Sequence, residues 1–262
     1  MPFFINTTVP VTRNMNKIDS PDNATIKRFA SLKEKKYRAL HGMYLLEGAR
    51  IVKDALISGV EIEAVFVRED CGHFIKELNL TETDPRCYLV SERAFKLLSD
   101  TETPQGIIAA AKIPQNINKP FGGRGLLLDG ISDAGNLGTL IRSAAGFGYK
   151  DVYLLNCADP YSPKTVRSTM AGIFRVNVRE CGIEILDELK NQGVQLLAAD
   201  MNGADAAGFK PRDKFALCIG SEARGLSQEV KGTADKTVAL KQQDIESLNA
   251  AVAGSILMYL YS

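Results

Sequence analysis

The segment from Asp129 to Arg142 brings residue types that could do chemistry to a strand-to-helix turn. Leu126–Leu128 predicts a buried strand, and the Gly, Ser, Asp and Asn residues after it are typical of a turn. A helix is therefore expected to begin near Asn136, with Asn136 as its cap. On that helix Arg142 faces away from the apolar side, one turn after Gly138, and we expect the glycine to leave room for a ligand. A solvated surface arginine is the simpler interpretation of this segment alone.

Two later segments also place polar residues where an apolar stretch begins or ends. The first, Gly220 to Gly225, follows an apolar run that predicts a strand, and its glycines suit a loop whose backbone approaches a ligand. The second, Ser247 to Asn249, opens an apolar helix, and Ser and Asn are also natural capping residues. Taken singly, a plain turn and a plain helix start explain them.

In this order and at these separations, the three segments resemble the conserved motifs of the SpoU/TrmH family of RNA ribose 2′-O-methyltransferases, in the SPOUT superfamily. The family motifs are Asn-x-Gly-x-x-x-Arg, Gly-x-Glu-x-x-Gly and Ser-Leu-Asn. The matching residues are, in turn, Asn136, Gly138 and Arg142, then Gly220, Glu222 and Gly225, then Ser247, Leu248 and Asn249. The resemblance extends from Ile18 to the C terminus.

The resemblance implies methylation of a ribose 2′-hydroxyl in RNA with S-adenosylmethionine as the cofactor, ribosomal RNA being the expected substrate and tRNA the alternative. This cofactor is an activated donor, so an in-line transfer needs no metal and no covalent enzyme intermediate. The family comparison assigns the catalytic site to Arg142, Asn136, Glu222, Ser247 and Asn249. It places cofactor binding at Ile219, Gly220, Ala239, Leu240, Leu248 and Asn249.

Two aspects of the site stay open at the level of sequence. Arg142 could help to remove the hydroxyl proton, or it could fix the ribose and a phosphate through its donor fork, since a guanidinium stays protonated. The chain also carries Ala239, Leu240 and Lys241, followed by Gln243, where the family usually has Ile-Pro-Met and a glycine. An RNA-binding protein on the same fold with weak or lost catalysis is therefore the alternative function.

The apolar segments predict an α/β protein with a flexible tail over residues 1–15, an N-terminal unit over 16–113, a linker over 114–123 and a second domain over 124–262. The resemblance implies that the first unit is an RNA substrate-binding domain and the second a methyltransferase domain. In the first domain we expect helices at 25–40 and 49–58 and strands at 62–67 and 107–111. Strands at 126–129, 152–155, 194–199, 215–219 and 237–240 predict a mainly parallel sheet with helices on both faces. The resemblance adds a ribosomal-protein-like fold for the first domain and a trefoil knot for the second.

A basic cluster lies between residues 26 and 40, although the net charge of the whole chain is only +1. Its six basic residues face a single acid, Glu34, and such a density could neutralise several phosphates. A solvated helix face is the alternative interpretation. We expect RNA contacts from Lys27, Arg28, Lys33, Lys35, Lys36 and Arg38.

The composition of the chain argues against several other classes of protein. No apolar run approaches the roughly 20 residues of a membrane span, and no signal pattern opens the chain, so a cytoplasmic protein is expected. The five cysteines form no Cys-x-x-Cys pair and the two histidines add little, which argues against zinc and against a disulfide framework. Dinucleotide and nucleoside triphosphate loops are also absent.

The last helix is apolar around its circumference, with the run Ile256-Leu257-Met258-Tyr259-Leu260-Tyr261. A solvent-facing helix normally has a polar side, so part of this surface is expected to be buried against another chain. We therefore expect a homodimer joined through the C-terminal domain.

Overall fold

The computed structural model describes residues 16–81, 84–115, 120–242 and 248–262, which form two β-sheets with helices packed against them. The predicted tail, residues 116–119 of the predicted linker, Gln243 and the motif residue Ser247 lie outside the described residues. None of the helices in these ranges is long and apolar enough to cross a bilayer.

The N-terminal sheet is mixed and has the strand order β1-β4-β3-β5-β2, with β5 antiparallel to both of its neighbours. Its strands are β1 (Asn16–Ile18), β2 (Met43–Glu47), β3 (Ile62–Arg68), β4 (Cys87–Val90) and β5 (Ile107–Lys112). Its helices are α1 (Ala24–Ala30), α2 (Lys35–His41), α3 (Ala49–Ile57), α4 (His73–Glu77) and α5 (Glu92–Leu98). The predictions of α3, β3 and β5 are confirmed, whereas β1, β2, β4, α4 and α5 were not predicted.

The single helix predicted over residues 25–40 is wrong, because the chain breaks between α1 and α2. A short 3-10 turn follows α1, and Glu34 then adopts an extended conformation with φ −97° and ψ 136°. The hydroxyl of Ser31 donates to the carbonyl of Arg28 at 2.6 Å, which helps to end α1. Such a break leaves carbonyls of the turn without helical partners.

Arg38 supplies those partners from inside the protein. Its Nη1 donates to the carbonyls of Leu32 and Lys33, each at 2.7 Å. Its Nε and Nη2 donate to Asp159 at 3.1 and 2.5 Å, and the residue is only 4% exposed. The expectation that Arg38 contacts RNA phosphates is therefore corrected, because its guanidinium is buried and fully engaged in joining the two halves of the molecule.

The C-terminal sheet has the strand order β11-β9-β10-β6-β7-β8, and every neighbouring pair is parallel. Its strands are β6 (Arg124–Asp129), β7 (Asp151–Leu155), β8 (Asn177–Glu180), β9 (Gln195–Asp205), β10 (Phe215–Gly220) and β11 (Lys236–Ala239). Its helices are α6 (Ala134–Gly146), α7 (Pro163–Ser168), α8 (Ile185–Asn191), α9 (Gln228–Thr233) and α10 (Ala250–Leu260). The predicted parallel sheet is confirmed; β8 was missed, and β9 is longer than expected.

The register of the parallel sheet brings the motif segments to one edge. Gly220 at the end of β10 pairs with Asp129 at the end of β6, and β11 ends at Ala239. Ligands of such sheets bind beyond the carboxyl ends of the strands. Helix α6 covers the sheet with a fully buried apolar face that includes Leu137 and Leu140, as its periodicity predicts.

The two sheets share packed and polar contacts rather than standing apart. The rings of Tyr44 on β2 and Tyr161 before α7 lie 4.9 Å apart between centroids, and both side chains are buried. Arg167 at the end of α7 donates through Nη1 and Nη2 to Asp100, each at 3.0 Å. Buried aromatic contacts of this kind stabilise a defined relation between the sheets.

Candidate active site

The three sequence motifs meet in one hydrogen-bonded group formed by Asn136, Glu222 and Asn249. The Nδ2 of Asn136 donates to Oε1 of Glu222 at 2.5 Å, and the Nδ2 of Asn249 donates to the same oxygen at 3.0 Å. The Nδ2 of Asn249 also lies 3.3 Å from Oδ1 of Asn136. One carboxylate therefore receives two amide donors from the first turn of α6 and the start of α10.

Local capping explains why these amides point at the carboxylate. The expectation that Asn136 caps α6 is wrong, because the helix begins at Ala134 and Asp133 is its cap, with Oδ1 accepting from the backbone N–H of Asn136 at 2.8 Å. That bond, followed by the Lys164 ammonium, holds the pKa of Asp133 below its usual range. The side chain of Asn136 is thereby free to reach Glu222.

Asn249 does act as the cap of its helix, as expected. Its Oδ1 accepts from the N–H groups of Ala251 and Val252 at 3.0 and 3.2 Å, which satisfies donors of the first turn of α10. Because the oxygen is used in capping, the Nδ2 of the same amide must point toward the motif group. The cap residue thus also fixes the rim of the site.

A cavity of about 370 Å³ opens beside this group at the carboxyl ends of β9, β10 and β11. Of the residues expected to bind the cofactor, Ile219, Gly220, Ala239, Leu240 and Leu248 line it, and Asn249 lies at its rim through the bond to Glu222. A cavity of this size can hold a ligand of nucleoside dimensions. The expected cofactor residues are therefore brought together around one space.

Strand β9 contributes a wall of the cavity that was not predicted from the sequence. Asp200, Met201 and Asn202 line the cavity because β9 continues to Asp205, six residues beyond the predicted end of the strand. The Lys231 ammonium lies 2.7 Å from a carboxylate oxygen of Asp200 and holds the pKa of that carboxyl below its usual range. The sequence held one indication of this wall: β9 was predicted as a parallel strand, and parallel strands end at the edge of the sheet where the ligand binds.

The glycines of the second motif allow the backbone to turn tightly at the cavity. A Cβ on Gly220 would collide with the backbone of Gly225 and Leu226, and Gly225 itself has φ +65°. The N–H of Gly225 donates to the carbonyl of Ser221 at 2.8 Å. The loop that carries Glu222 is therefore closed on itself by contacts that leave no room for a side chain.

Arg142 is exposed on α6, as predicted, but the role expected for Gly138 is wrong. A Cβ on Gly138 would lie 2.8 Å from the carbonyl oxygen of Thr165 and even closer to Ser168. The glycine therefore serves the close packing of α6 on α7 and leaves no ligand space. The backbone of Arg142 itself packs beside Gly172, in the turn after α7.

The remaining members of the basic cluster differ in their surroundings. Lys33 donates to the carbonyls of Leu97 and Ser99 at 2.7 and 3.1 Å, and Lys35 pairs with Glu180 of the other sheet at 2.9 Å. The side chains of Lys27 and Lys36 pair only with exposed acids, at 2.7 and 3.1 Å, and Arg28 stacks over Phe29. Glu180 is itself exposed, so four exposed basic side chains, Lys27, Arg28, Lys35 and Lys36, remain accessible.

The five thiols are free, and burial raises the pKa of Cys157 and Cys181 to about 11 and that of Cys218 to about 12. Reactive thiolates require the opposite shift. In the ranges that the structure describes, no three His, Cys, Asp or Glu side chains are grouped so as to hold a metal ion. The site instead consists of the amides of Asn136 and Asn249, the carboxylates of Glu222 and Asp200, and backbone groups.

These features define an α/β protein with a cavity beyond the ends of its parallel strands, beside a carboxylate fixed by two amides. The chain belongs to the SpoU rRNA Methylase family, whose profile matches residues 124–259. The profile of the MRM3-like substrate binding domain matches residues 23–109.

Relatives agree over nearly the full length. The chain is 33% identical over 249 residues to the 23S rRNA (guanosine(2553)-2′-O)-methyltransferase RlmP of Bacillus subtilis, covering 94% of this chain and 98% of that protein. It is 26% identical to the 23S rRNA (uridine(2479)-2′-O)-methyltransferase of Streptomyces viridochromogenes, over 90% and 88% of the two chains. The AdoMet-bound rRNA methyltransferase of Sinorhizobium meliloti superposes with a TM-score of 0.83 at 25% identity, over 94% and 97% of the chains.

Proposed function

We propose that this protein transfers the methyl group of S-adenosylmethionine to a ribose 2′-hydroxyl in ribosomal RNA. The family membership supports the reaction, and the Bacillus subtilis and Streptomyces viridochromogenes relatives act on 23S rRNA, which favours rRNA over tRNA. The observation that carries the proposal is the convergence of Asn136, Glu222 and Asn249 at the rim of the cavity. Three segments far apart in sequence meet there.

The residues around the cavity fit the cofactor that the family uses. Ile219, Leu240 and Leu257 offer apolar walls for an adenosyl group, while Asp200 and Glu222 place carboxylates in the lining of a site for a sulfonium cation. S-adenosylmethionine supplies an activated methyl group when bound. The backbone of Gly220, Ala239 and Leu240 would hold it, and the Asn136–Glu222–Asn249 group would keep the rim in place.

The altered loop after β11 is compatible with this assignment. Ala239 and Leu240 line the cavity, but the ammonium of Lys241 lies 2.7 Å from Asp205 and is held by that ion pair. The unusual lysine therefore need not intrude on a cofactor, which weakens the alternative of an RNA-binding protein that has lost catalysis.

Calorimetry with S-adenosylmethionine separates the two functions. For the methyltransferase we expect saturable binding to the purified protein, because the cavity and its rim are already formed by described residues. No detectable binding by the folded protein, with or without RNA, would favour the RNA-binding alternative. Ala253→Phe fills the cavity and should abolish binding, whereas Ala207→Phe lies outside it and should not. This pair of results would show that the cofactor binds in this cavity.

Arg142 acts on the ribose in this proposal, either by helping to remove the hydroxyl proton or by positioning the ribose and a phosphate. Ser247 stays a proposed member of the site from its motif. The basic residues that remain exposed, Lys27, Arg28, Lys35 and Lys36, are the proposed phosphate contacts of the substrate-binding domain over residues 16–113, with methyl transfer assigned to 124–262. We place the reaction in the cytoplasm and propose the family's trefoil knot for the second domain.

We further propose that two copies assemble through α10. Asn136 and Arg142 lie six positions apart on α6, which corresponds to about 240° around the helix. Arg142 therefore does not face the cavity rim to which Asn136 belongs. A second copy of the chain would bring an Arg142 side chain to this rim. The face of α10 turned away from the core carries exposed apolar side chains in a stripe: Val252 at 47%, Ile256 at 41% and Tyr259 at 65%. Contiguous exposed apolar surface of this kind is typical of an interface.

The assembly has a direct test. We expect light scattering at micromolar concentration to give about twice the 28.5 kDa mass of one chain. Ile256→Asp should shift the protein to monomers, because a carboxylate would be buried in the apolar contact. Ile57→Asp, at an isoleucine that is 75% exposed on α3, is the matched control and should remain dimeric. A monomeric wild-type protein would contradict the proposal.

A further inference from the structure

A second cavity, of about 270 Å³, lies between the two halves of the molecule and is separate from the cofactor cavity. One wall is the start of α3 with the strand end before it, and the other is the turn that follows α7. The lining residues are Glu47, Gly48, Arg50, Ile51, Asp54, Gln105, Arg167, Met170 and Ala171. No residue is common to the linings of the two cavities.

Most polar groups of this cleft are already occupied by internal bonds. Glu47 accepts from the backbone N–H of Asp100 at 3.0 Å and from the hydroxyl of Thr101 at 2.7 Å. Gln105 accepts from the N–H of Ala49 at 3.0 Å, and Arg167 is bound to Asp100. The carboxylate of Glu47, the side-chain oxygen of Gln105 and the Nη atoms of Arg167 are therefore already engaged.

Arg50 and Asp54 are different. They lie four residues apart on α3, and residues at this spacing lie on the same side of a helix. Neither side chain has an ion-pair or hydrogen-bond partner among the residues that the structure describes. The cleft therefore presents one guanidinium and one carboxylate, side by side and available.

The opposite wall is apolar and held in an unusual backbone conformation. Met170 and Ala171 both have positive φ, 46° and 65°, a region that residues with a Cβ rarely adopt. The turn is kept by the N–H of Gly172, which donates to the carbonyl of Thr169 at 2.9 Å. Met170 is 48% exposed as a result, so a flexible thioether faces a cleft that Ile51 lines from the other side. Such a thioether packs well on an aromatic ring.

The cleft lies next to the proposed catalytic arginine. Gly172 follows Ala171 directly, and a Cβ built on Gly172 would be 3.0 Å from the Cα of Arg142. The backbone of Arg142 therefore packs against the residue that directly follows the cleft lining. A nucleotide whose ribose reaches Arg142 could place its base in this cleft.

We propose that the cleft binds the guanine base of the nucleotide whose ribose is methylated, which rests on the function proposed above. Guanine offers two adjacent donors, N1–H and N2–H, to the carboxylate of Asp54, and the acceptors O6 and N7 to the guanidinium of Arg50. Uracil has a single N–H donor flanked by two carbonyl oxygens, adenine puts an amino donor where guanine has O6, and cytosine lacks a ring N–H donor. Guanine alone satisfies both side chains in full.

Mapping the modification tests the proposal on the intact protein. Ribosomal RNA from cells that lack the gene, treated with protein and S-adenosylmethionine, should gain its 2′-O-methyl group on a guanosine. Asp54→Asn should lower kcat/KM for that RNA by about 10-fold or more, the scale of a lost bidentate base contact, and leave cofactor affinity unchanged. Lys53→Gln, on the same helix but outside the cleft lining, is the control. Methylation of any other nucleoside, or an Asp54→Asn enzyme that equals wild type, would overturn the proposal.

A second measurement tests guanine binding by the cleft even if no methylation occurs and the proposed function itself fails. Guanosine 5′-monophosphate should bind to the full-length protein at least about 10-fold more tightly than the adenosine, uridine and cytidine monophosphates, as measured by NMR titration. The preference should disappear in Asp54→Asn and in Arg50→Gln while Lys53→Gln retains it. Equal binding of the four nucleotides, or a preference that survives both changes, would remove guanine recognition from this cleft.

Discussion

Replacing Arg142 by alanine is expected to lower methyl transfer at saturating RNA by at least about 10²-fold while cofactor affinity stays nearly unchanged. The residue is exposed, and no partner among the described residues depends on it, so its removal should not disturb folding. It is also absent from the lining of the cofactor cavity, which is why S-adenosylmethionine binding should be retained. Single-turnover rates together with calorimetry measure both quantities.

Two further variants show whether the loss comes from the shape or the charge of the guanidinium, and whether it is specific to Arg142. Arg142→Lys should also fail if the planar donor fork fixes the ribose and phosphate, because an ammonium cannot reproduce bidentate geometry. Full activity of the lysine variant would reduce the role to charge alone. Arg175→Ala changes another exposed arginine of the same region and serves as the control. Turnover of Arg142→Ala within a few-fold of wild type would remove this residue from the mechanism.

The second large effect is expected from Gly220→Ala. The new Cβ would collide with the backbone of Gly225 and Leu226, so the loop must move and take Glu222 away from the amides of Asn136 and Asn249. We expect S-adenosylmethionine affinity to fall by at least about 10-fold, since a displaced loop disrupts the cavity wall as well as its rim. Methyl transfer should fall further than affinity.

Gly232→Ala is the matched control for this change. Gly232 lies in α9, and a Cβ there would meet nothing within 4 Å, so cofactor affinity and activity should remain at the wild-type level. Circular dichroism should show both variants folded. Wild-type cofactor affinity in folded Gly220→Ala would contradict the role assigned to the close approach of the two loop segments.

The sequence could predict the sheet that positions the site because its signal is local. Five apolar strands separated by helical periodicity indicate a parallel sheet, and the ligand edge of such a sheet is fixed by geometry. The short strand β8 was not predicted because it contains no apolar run: Val178 is its only buried residue. The extra length of β9, which supplies Asp200 to the cavity, was also hidden because its last residues are partly exposed.

Details of the site that depend on tertiary contacts were not predictable. Asn136 and Asp133 are both good caps, and only the structure shows that Asp133 takes the helix start while Asn136 bonds to Glu222. Gly138 of the first motif suggested space for a ligand, but in the structure it packs against α7, which lies more than 20 residues later in the chain. Sequence periodicity reports which face of a helix is apolar but not what covers its glycines.

The basic cluster shows the same limitation for charge. Arg38 and Lys33 are indistinguishable from solvated residues in a charge count, yet one is buried against Asp159 and the other donates to backbone carbonyls. Their partners come from the broken helix between α1 and α2 and from distant segments, which no local pattern encodes. Charge density therefore predicted a basic surface but overestimated how many of its members are free to contact RNA.

Following the methyl group tests the proposed reaction most directly. Purified protein is incubated with deuterated-methyl S-adenosylmethionine and ribosomal RNA from cells that lack the gene, and the digested RNA is analysed by mass spectrometry. The proposed function predicts a deuterium-labelled 2′-O-methyl nucleoside at one position, which the Arg142→Ala protein does not form. Label on a base, or no label in rRNA although the folded protein binds the cofactor, would contradict it.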